Sequence, residues 1–596
     1  MPLIDATTRS VTAYAMPALS GFRRSSGVPA VTDQIVEKTP FCKPLTERQL
    51  NRRRMMQGML ASGAFAAIAT MDRPALTYAQ ATPEAAMYDG PLAADQFMTL
   101  PTTEPTTMDP GVSYGDDELD LFWNIFDGLV GVDTRTGEVV PLCAESWDIN
   151  EDASQFIFHI RQGMTWSDGT PLNANDFVYS WQRVLDPNTL SQYMDAMAPI
   201  KNAQAIMKGT MELSTLGVTA TDDYTLTVDL EGPTTFFPLL ASTWTYFPVP
   251  KHVIEAKAEQ WVEAGNMVSN GAFVLTEWTH DQKMVIEANA SYYGTKPTLT
   301  KATYTIFADD TAQAFTAYEA GELDYCEPGG PDLERINADD SFKDQIIRFE
   351  LSNTYFIVCD TTNAPTDKLE FRQALSKAIS RDTLANTILK GEYLPAPSVL
   401  PTNIPGNNPD AVIPESVDEA KALLVSAGID PSTITLDFVF LNLSFQTTVA
   451  QYLQAAWQDN LGIKVTMSPI EDSTYSDWRA SRETQPFGVY TGSWGSDFAD
   501  ASNWFNQNFT TESDHYRNHW SYPEFDDLVA KAVNNTNVEE RNQQYSQAEA
   551  ILVEQAGIIP MLHGKAFRMA KPWVKDIFFQ PILSVVHLRT IKIAEH

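Results

Sequence analysis

The stretch SWDINEDASQFIFHI (146–160) alternates apolar and polar positions, with Phe156, Phe158 and Ile160 on one side. Period two is what a strand with one buried face requires, so the stretch predicts a β-hairpin. The period then lengthens. Ser167-Asp168-Gly169 predicts a turn, and Asn173 and Asp176 stand at capping-box spacing. The helix they open buries Phe177, Val178, Trp181 and Val184 or Leu185. FRQALSKAI (371–379) is also helical. Ser416 and Glu419 predict a second capping box. It leads a stripe of Ala420, Leu423, Leu424 and Ala427 that Gly428 ends. TLDFVFL (435–441), a helix around 447–460 and IKVTM (463–467) predict a βαβ unit. Two helices near 523–533 and 538–556 and the apolar strand IIPML (558–562) follow. There is no repeat of 20–50 residues and no low-complexity tract. Strands and helices mixed in this way give an α/β chain.

The ends and the charge change this picture. NRRRMMQGMLASGAFAAIAT (51–70) is an arginine cluster followed by small and apolar residues. It falls short of the roughly 20 apolar residues of a membrane span. It lies upstream of Ala79-Gln80-Ala81, an A-x-A cleavage pattern, and so predicts an export signal over 1–81. Arg52-Arg53 resembles the twin-arginine type, with a long n-region ahead of it. TPEAAMYDGPLAA (82–94) predicts a linker. The chain has 596 residues, 41 basic and 77 acidic, for a net −36. Removing 1–81 leaves 41 − 10 = 31 basic and 77 − 5 = 72 acidic residues, a net −41. That balance argues against nucleic acid as a partner, because phosphate neutralisation needs clustered Lys and Arg. No other apolar run approaches a span, so an extracytoplasmic soluble protein is expected. Cys143, Cys326 and Cys359 remain after cleavage. Cys326 and Cys359 form a possible disulfide, which sequence cannot fix.

Candidate chemistry is sparse. The chain has no phosphate loop, HExxH or CxxC. His515 and His519 are four apart but lack further ligands at metal spacing. SWGSDFAD (493–500) places an aromatic, a glycine and two acids together. Asp497 and Asp500 read as an acid pair for hydrolysis, as a clamp for a cation, or as a solvated acidic loop.

Longer blocks carry a family resemblance. EPTTMDP (104–110), IFDGLVGVDTRTGEVVP (125–141) and the block AESW…WSDGTP…DFVYSWQRVLDP (144–187) resemble the extracytoplasmic peptide-binding proteins of ABC importers, the family 5 solute-binding proteins. SNGAFVLTEW (269–278), AYEAGELDY (317–325), FRQALSKAISRD (371–382) and MAKPW (569–573) do so as well. The resemblance implies a two-lobed periplasmic-binding-protein-like fold, hinged, with an extra domain on the first lobe. It maps domain I to 95–126, 250–352 and 566–596, the extra domain to 127–249 and the second lobe to 353–565. It implies a non-catalytic receptor that takes an oligopeptide and delivers it to a membrane permease, as a monomer, without cofactor or metal. Ser493, Trp494 and Gly495 match a strand that pairs with the ligand backbone, and Asp497 matches the aspartate that grips its α-ammonium. Tyr114, Gly115 and Asp116 match the opposing strand, and Tyr193 a tyrosine near the pocket.

The departures concern the other end of the ligand. Asn353 and Gly495 occupy positions that some of these binders join by a disulfide. Thr491 and Gln446 stand where Arg or His would hold a peptide carboxylate, with Arg479 or Arg482 as possible substitutes. An oligosaccharide or a metal chelate is the alternative cargo, and an exported hydrolase using Asp497 and Asp500 the alternative class.

Overall fold

The computed structural model describes residues 87–113, 118–308, 310–482, 484–582 and 584–596. The expected export segment, its cleavage pattern and the expected strand at 114–116 lie outside the described residues.

Local chemistry builds the elements. Ala144–Ile149 and Gln155–Ile160 form the hairpin, with Trp147 opposite Phe158, and Phe156, Phe158 and Ile160 are buried. Thr225–Asp229 and Val218–Asp222 widen it to a four-stranded sheet. Helix Ala174–Leu185 opens on a reciprocal capping box. Asn173 Oδ1 accepts from the Asn175 N–H at 2.9 Å, and Asp176 accepts from the Asn173 N–H at 2.8 Å. Phe177, Trp181, Val184 and Leu185 are buried, whereas Val178 is only half-buried. Helix Val417–Ser426 keeps half of its expected box. Ser416 Oγ accepts from the Glu419 N–H at 3.3 Å, but the Glu419 side chain turns instead to Lys377 Nζ at 2.8 Å. Gly428 adopts φ +67° just past this helix, a conformation in which glycine carries no Cβ penalty. Thr435–Leu441 and Lys464–Ile470 pair in parallel through helix Ser444–Leu461, the right-sized crossover for a βαβ unit.

The strands fall into two lobes. In the first, Phe97–Thr102, Lys301–Ile306, Lys283–Ala288 and Phe273–Thr279 form a second four-stranded sheet. One continuous core joins it to the hairpin sheet, from Met98 through Phe237 to Ile593. In the second lobe the strand Ile346–Cys359 puts Ile357 and Cys359 into a core on one face and Phe356 and Val358 into a core on the other. That alternation is the two-sided burial of a sheet covered by helices on both faces.

Two strands belong to both lobes. Ile346–Cys359 and Ile558–Ala570 pair antiparallel along most of their length. Ile346–Glu350 pairs with Lys565–Met569 at the first-lobe end, and Thr354–Val358 with Ile558–His563 at the other. The register slips between Glu350 and Thr354, a bulge in which 351–353 face Gly564. A Cβ on Gly564 would lie 1.8 Å from Asn353 Oδ1, so the bulge needs glycine there.

Cys143, Cys326 and Cys359 are buried and unbridged. Within the stretch expected to be a linker, Tyr88 N–H donates to Asp576 Oδ1 at 2.8 Å and Ala93 N–H to the Ile593 carbonyl at 2.9 Å. Among the described residues no helix is long and apolar enough to cross a membrane.

Candidate ligand-binding site

Strand Val489–Gly495 has two different edges. One pairs with Ile346–Cys359 over its full length, from Asn353 opposite Gly495 to Cys359 opposite Val489. The other pairs with Thr435–Leu441 only at Val489 and Tyr490. Residues beyond Tyr490 therefore run past their neighbour. Their peptide groups alternate in direction along the strand. Ser496 N–H points back to the Ser352 carbonyl at 2.8 Å, and the Ser493 carbonyl points outward, accepting the Tyr516 hydroxyl at 2.7 Å. By the same parity the Ser493 N–H and both peptide groups of Gly495 face the open edge. Among the described residues none of these groups has a hydrogen-bond partner. Ser493 and Gly495 are exposed. Such an edge is a template for an added strand.

Asp497 lies two residues beyond the strand. Its Oδ1 accepts from Tyr193 Oη at 2.9 Å and its Oδ2 from Asn503 Nδ2 at 2.8 Å. Burial pushes the carboxyl pKa up against the pull of these two bonds. Among the described residues no lysine or arginine pairs with it. A half-buried carboxylate held by two neutral donors keeps a free lone pair on each oxygen and lacks a counter-charge. Tyr193 comes from the other lobe and stacks on Trp244, ring centroids 4.8 Å apart. Trp244 Nε1 donates to the Ser113 carbonyl at 3.1 Å, just before the segment where the opposing strand is expected.

The structure thus brings Tyr193, Ser493, Trp494, Gly495 and Asp497 together; Tyr114, Gly115 and Asp116 lie outside the described residues. Asn503 was not legible as a site residue. Its Oδ1 accepts from the Asp497 N–H at 2.9 Å and from Trp494 Nε1 at 3.3 Å, so one amide fixes both the acid and the indole. The available signal was an N-terminal helix position, in Ser502–Asn508, directly after an acidic turn.

Asp500 has a different fate. It is fully buried, and Arg541 binds both its oxygens, at 2.5 and 2.6 Å. A carboxylate clamped in a bidentate pair cannot share a proton-transfer task with Asp497, and the hydrolase alternative loses its second acid. Asn353 and Gly495, at the positions some of these binders join by a disulfide, sit directly opposite each other in the sheet. Thr491 Oγ1 donates to Gln446 Oε1 at 2.6 Å. Arg482 is spent locally on Trp478, Ser481, Gln485 and Pro486. Arg479 is half-buried and meets His515 Nε2 at 3.0 Å, and the His515 ring packs edge-on against Trp494. Burial and then the neighbouring Arg479 and Arg517 lower the His515 pKa to about 3, so the ring is a neutral acceptor for Arg479. His519 pairs with Asp514 at 3.1 Å, and no group of His, Cys, Asp and Glu among the described residues could hold a metal.

A cavity opens beside Asp497. Its volume is about 70 Å³, and its walls include Trp123, Leu239, Phe498 and Ile582.

The sequence profile of the bacterial extracellular solute-binding proteins, family 5 (middle region), matches residues 138–516. The chain is 33% identical over 496 residues to the probable deoxycholate-binding periplasmic protein YgiS of Escherichia coli K12, covering 81% of this chain and 91% of that one. It is 33% identical over 503 residues to the periplasmic murein peptide-binding protein MppA of the same organism, covering 83% and 92%. The unliganded open form of MppA superposes with a TM-score of 0.77 at 31% identity, covering 85% of this chain and 99% of that one. Haemophilus influenzae OppA in complex with the peptide RPPGFSPFR superposes with a TM-score of 0.64 at 27% identity, covering 85% and 100%. Both are two-lobed binding proteins, and the chain shares their architecture.

Proposed function

Because the chain belongs to the bacterial extracellular solute-binding proteins of family 5, we propose that it is a non-catalytic extracytoplasmic receptor. It binds an oligopeptide between its two lobes and delivers it to an ABC permease as a monomer exported through a twin-arginine-like signal. The observation that carries the reading is the pairing of an open strand edge with an uncompensated carboxylate two residues past its end. The edge at Ser493 and Gly495 offers main-chain donors and an acceptor to a ligand backbone of any sequence. Asp497 offers a charge-assisted bond to the ligand's α-ammonium, with Tyr193 closing on it from the first lobe. Tyr114, Gly115 and Asp116 supply the opposite strand in this reading, and Trp494 holds the edge straight through Asn503. Arg479 is the remaining candidate for the ligand's carboxylate, since Arg482 is committed elsewhere. The continuous first-lobe core and the separate hairpin sheet fit an extra domain at 127–249 on a discontinuous domain I, with the second lobe at 353–565.

Calorimetry with a short peptide and its N-acetylated twin tests the amine grip. The free-amine form binds tighter, and Asp497→Ala removes about 2–5 kcal/mol from it alone. Equal affinity of the two forms for the native protein would sink the role of Asp497. Native mass spectrometry of the purified protein, with release and identification of its cargo, tests the peptide class itself.

A further inference from the structure

The cavity next to Asp497 is apolar where it matters. Trp123, Val132, Leu239, Phe498, Pro581 and Ile582 line it together with a few polar groups. Most of those polar groups already donate within the protein. Ser242 and Thr243 donate to the carbonyls of Leu239 and Leu240 at 2.7 and 2.8 Å. Ser352 Oγ donates to Asn403 Oδ1 at 2.8 Å, and Gln580 Nε2 to the Val132 carbonyl at 3.2 Å. Asp497 is the one ionisable group among the lining residues. Its neighbour Phe498 is buried and stacks on Phe236 with ring centroids 5.3 Å apart, so this wall is fixed by packing across the two lobes.

In an amino-terminal residue the first side-chain carbon is two bonds from the ammonium nitrogen. A ligand whose amine sits on Asp497 therefore delivers its first side chain to the same cavity. A charged side chain would leave water there, where Asp497, already bound to the ammonium, is the only ionisable lining group. A second carboxylate would also face Asp497.

Resting on the receptor reading, we propose that this cavity selects ligands by their first residue and takes peptides that begin with a large apolar side chain, of leucine or phenylalanine size. The same charge argument disfavours an anionic steroid such as the one in the name of the YgiS relative, since its carboxylate would meet Asp497 rather than a cation.

The test is a calorimetric series of tripeptides X-Gly-Gly on the native protein, with X as Leu, Phe, Gly or Asp. Burying a leucine-sized side chain corresponds to a preference of at least tenfold over glycine. The expected order is Leu and Phe tightest, then Gly, with Asp weakest. Ala499→Phe, which fills the cavity from its wall, abolishes the preference and leaves the glycine-first peptide unchanged. Equal affinities across the series, with all four peptides bound, overturn the cavity's role and leave the receptor reading intact. No binding by any free-amine peptide overturns the receptor reading and this inference with it.

Discussion

Asp497 and Asp500 are three residues apart and chemically identical, yet the fold gives them opposite work. Asp497 has neutral partners and no counter-ion among the described residues; Asp500 is sealed against Arg541. The acidic turn was legible in sequence, but Arg541 is 41 positions away and nothing local marks it. Removing one partner of a buried pair strands the other charge, which costs about 3–5 kcal/mol. Asp500→Ala is therefore expected to lower the urea midpoint sharply, and Asp500→Leu with Arg541→Met to recover part of the loss. An unchanged midpoint in the single variant would count against the pair as a structural tie. Asn503 escaped detection for a related reason. An asparagine early in a helix is ordinarily a local feature, and its role depends on a strand end that only tertiary packing brings near.

Elements with a strong local signal were readable. The hairpin, the capping box at Asn173, the βαβ unit and the last two helices all carry periodicity or caps within a few residues of their ends. Strand Ile558–Ala570 was readable only as far as its apolar start, IIPML. Beyond it HGKAFRMA loses clear alternation, because Lys565, Phe567 and Arg568 are half-buried where the strand passes between lobes. Helix Val538–Glu554 hides another long-range tie. Glu549 is fully buried, and its Oε1 accepts the Val399 and Leu400 N–H groups at 2.9 and 2.6 Å. Its Oε2 accepts the Asn408 N–H at 2.6 Å. In Glu549→Gln the amide nitrogen cannot accept, so one buried donor is orphaned. That costs about 1–3 kcal/mol, readable as a lowered denaturation midpoint by circular dichroism. A midpoint equal to that of the native protein would show that the loop over 399–408 is held by something else.

For the whole molecule, buried titratable groups set a stability optimum. Burial lowers the pKa of His563 to about 4 and of His515 and His587 to about 3, below the ordinary histidine value of 6.5. Between pH 6.5 and about 3 the unfolded chain binds more protons at these rings, so stability falls as pH falls through that window. Glu549 works in the other direction: burial raises its pKa from 4.5 to about 8, so between those values the folded state holds the extra proton and stability falls as pH rises. Below pH 6.5 the three rings work against Glu549 and the raised carboxyl of Asp497, and above it the rings no longer contribute. Thermal melts across pH 4–8.5 are expected to peak between about 6 and 7. A monotonic profile would contradict the assignment of neutral buried rings. The two strands shared by the lobes carry a different consequence, for the order in which the protein takes shape during synthesis. The second-lobe cores draw only on residues from Phe356 to Leu562, one uninterrupted stretch. The first-lobe core draws on residues from Met98 to Tyr325, on Phe498 alone within the intervening stretch, and again on residues from Ala570 to Ile593. As the chain leaves the ribosome, the first lobe is begun first and finished last, and its apolar surface waits open while some 200 intervening residues are made and fold.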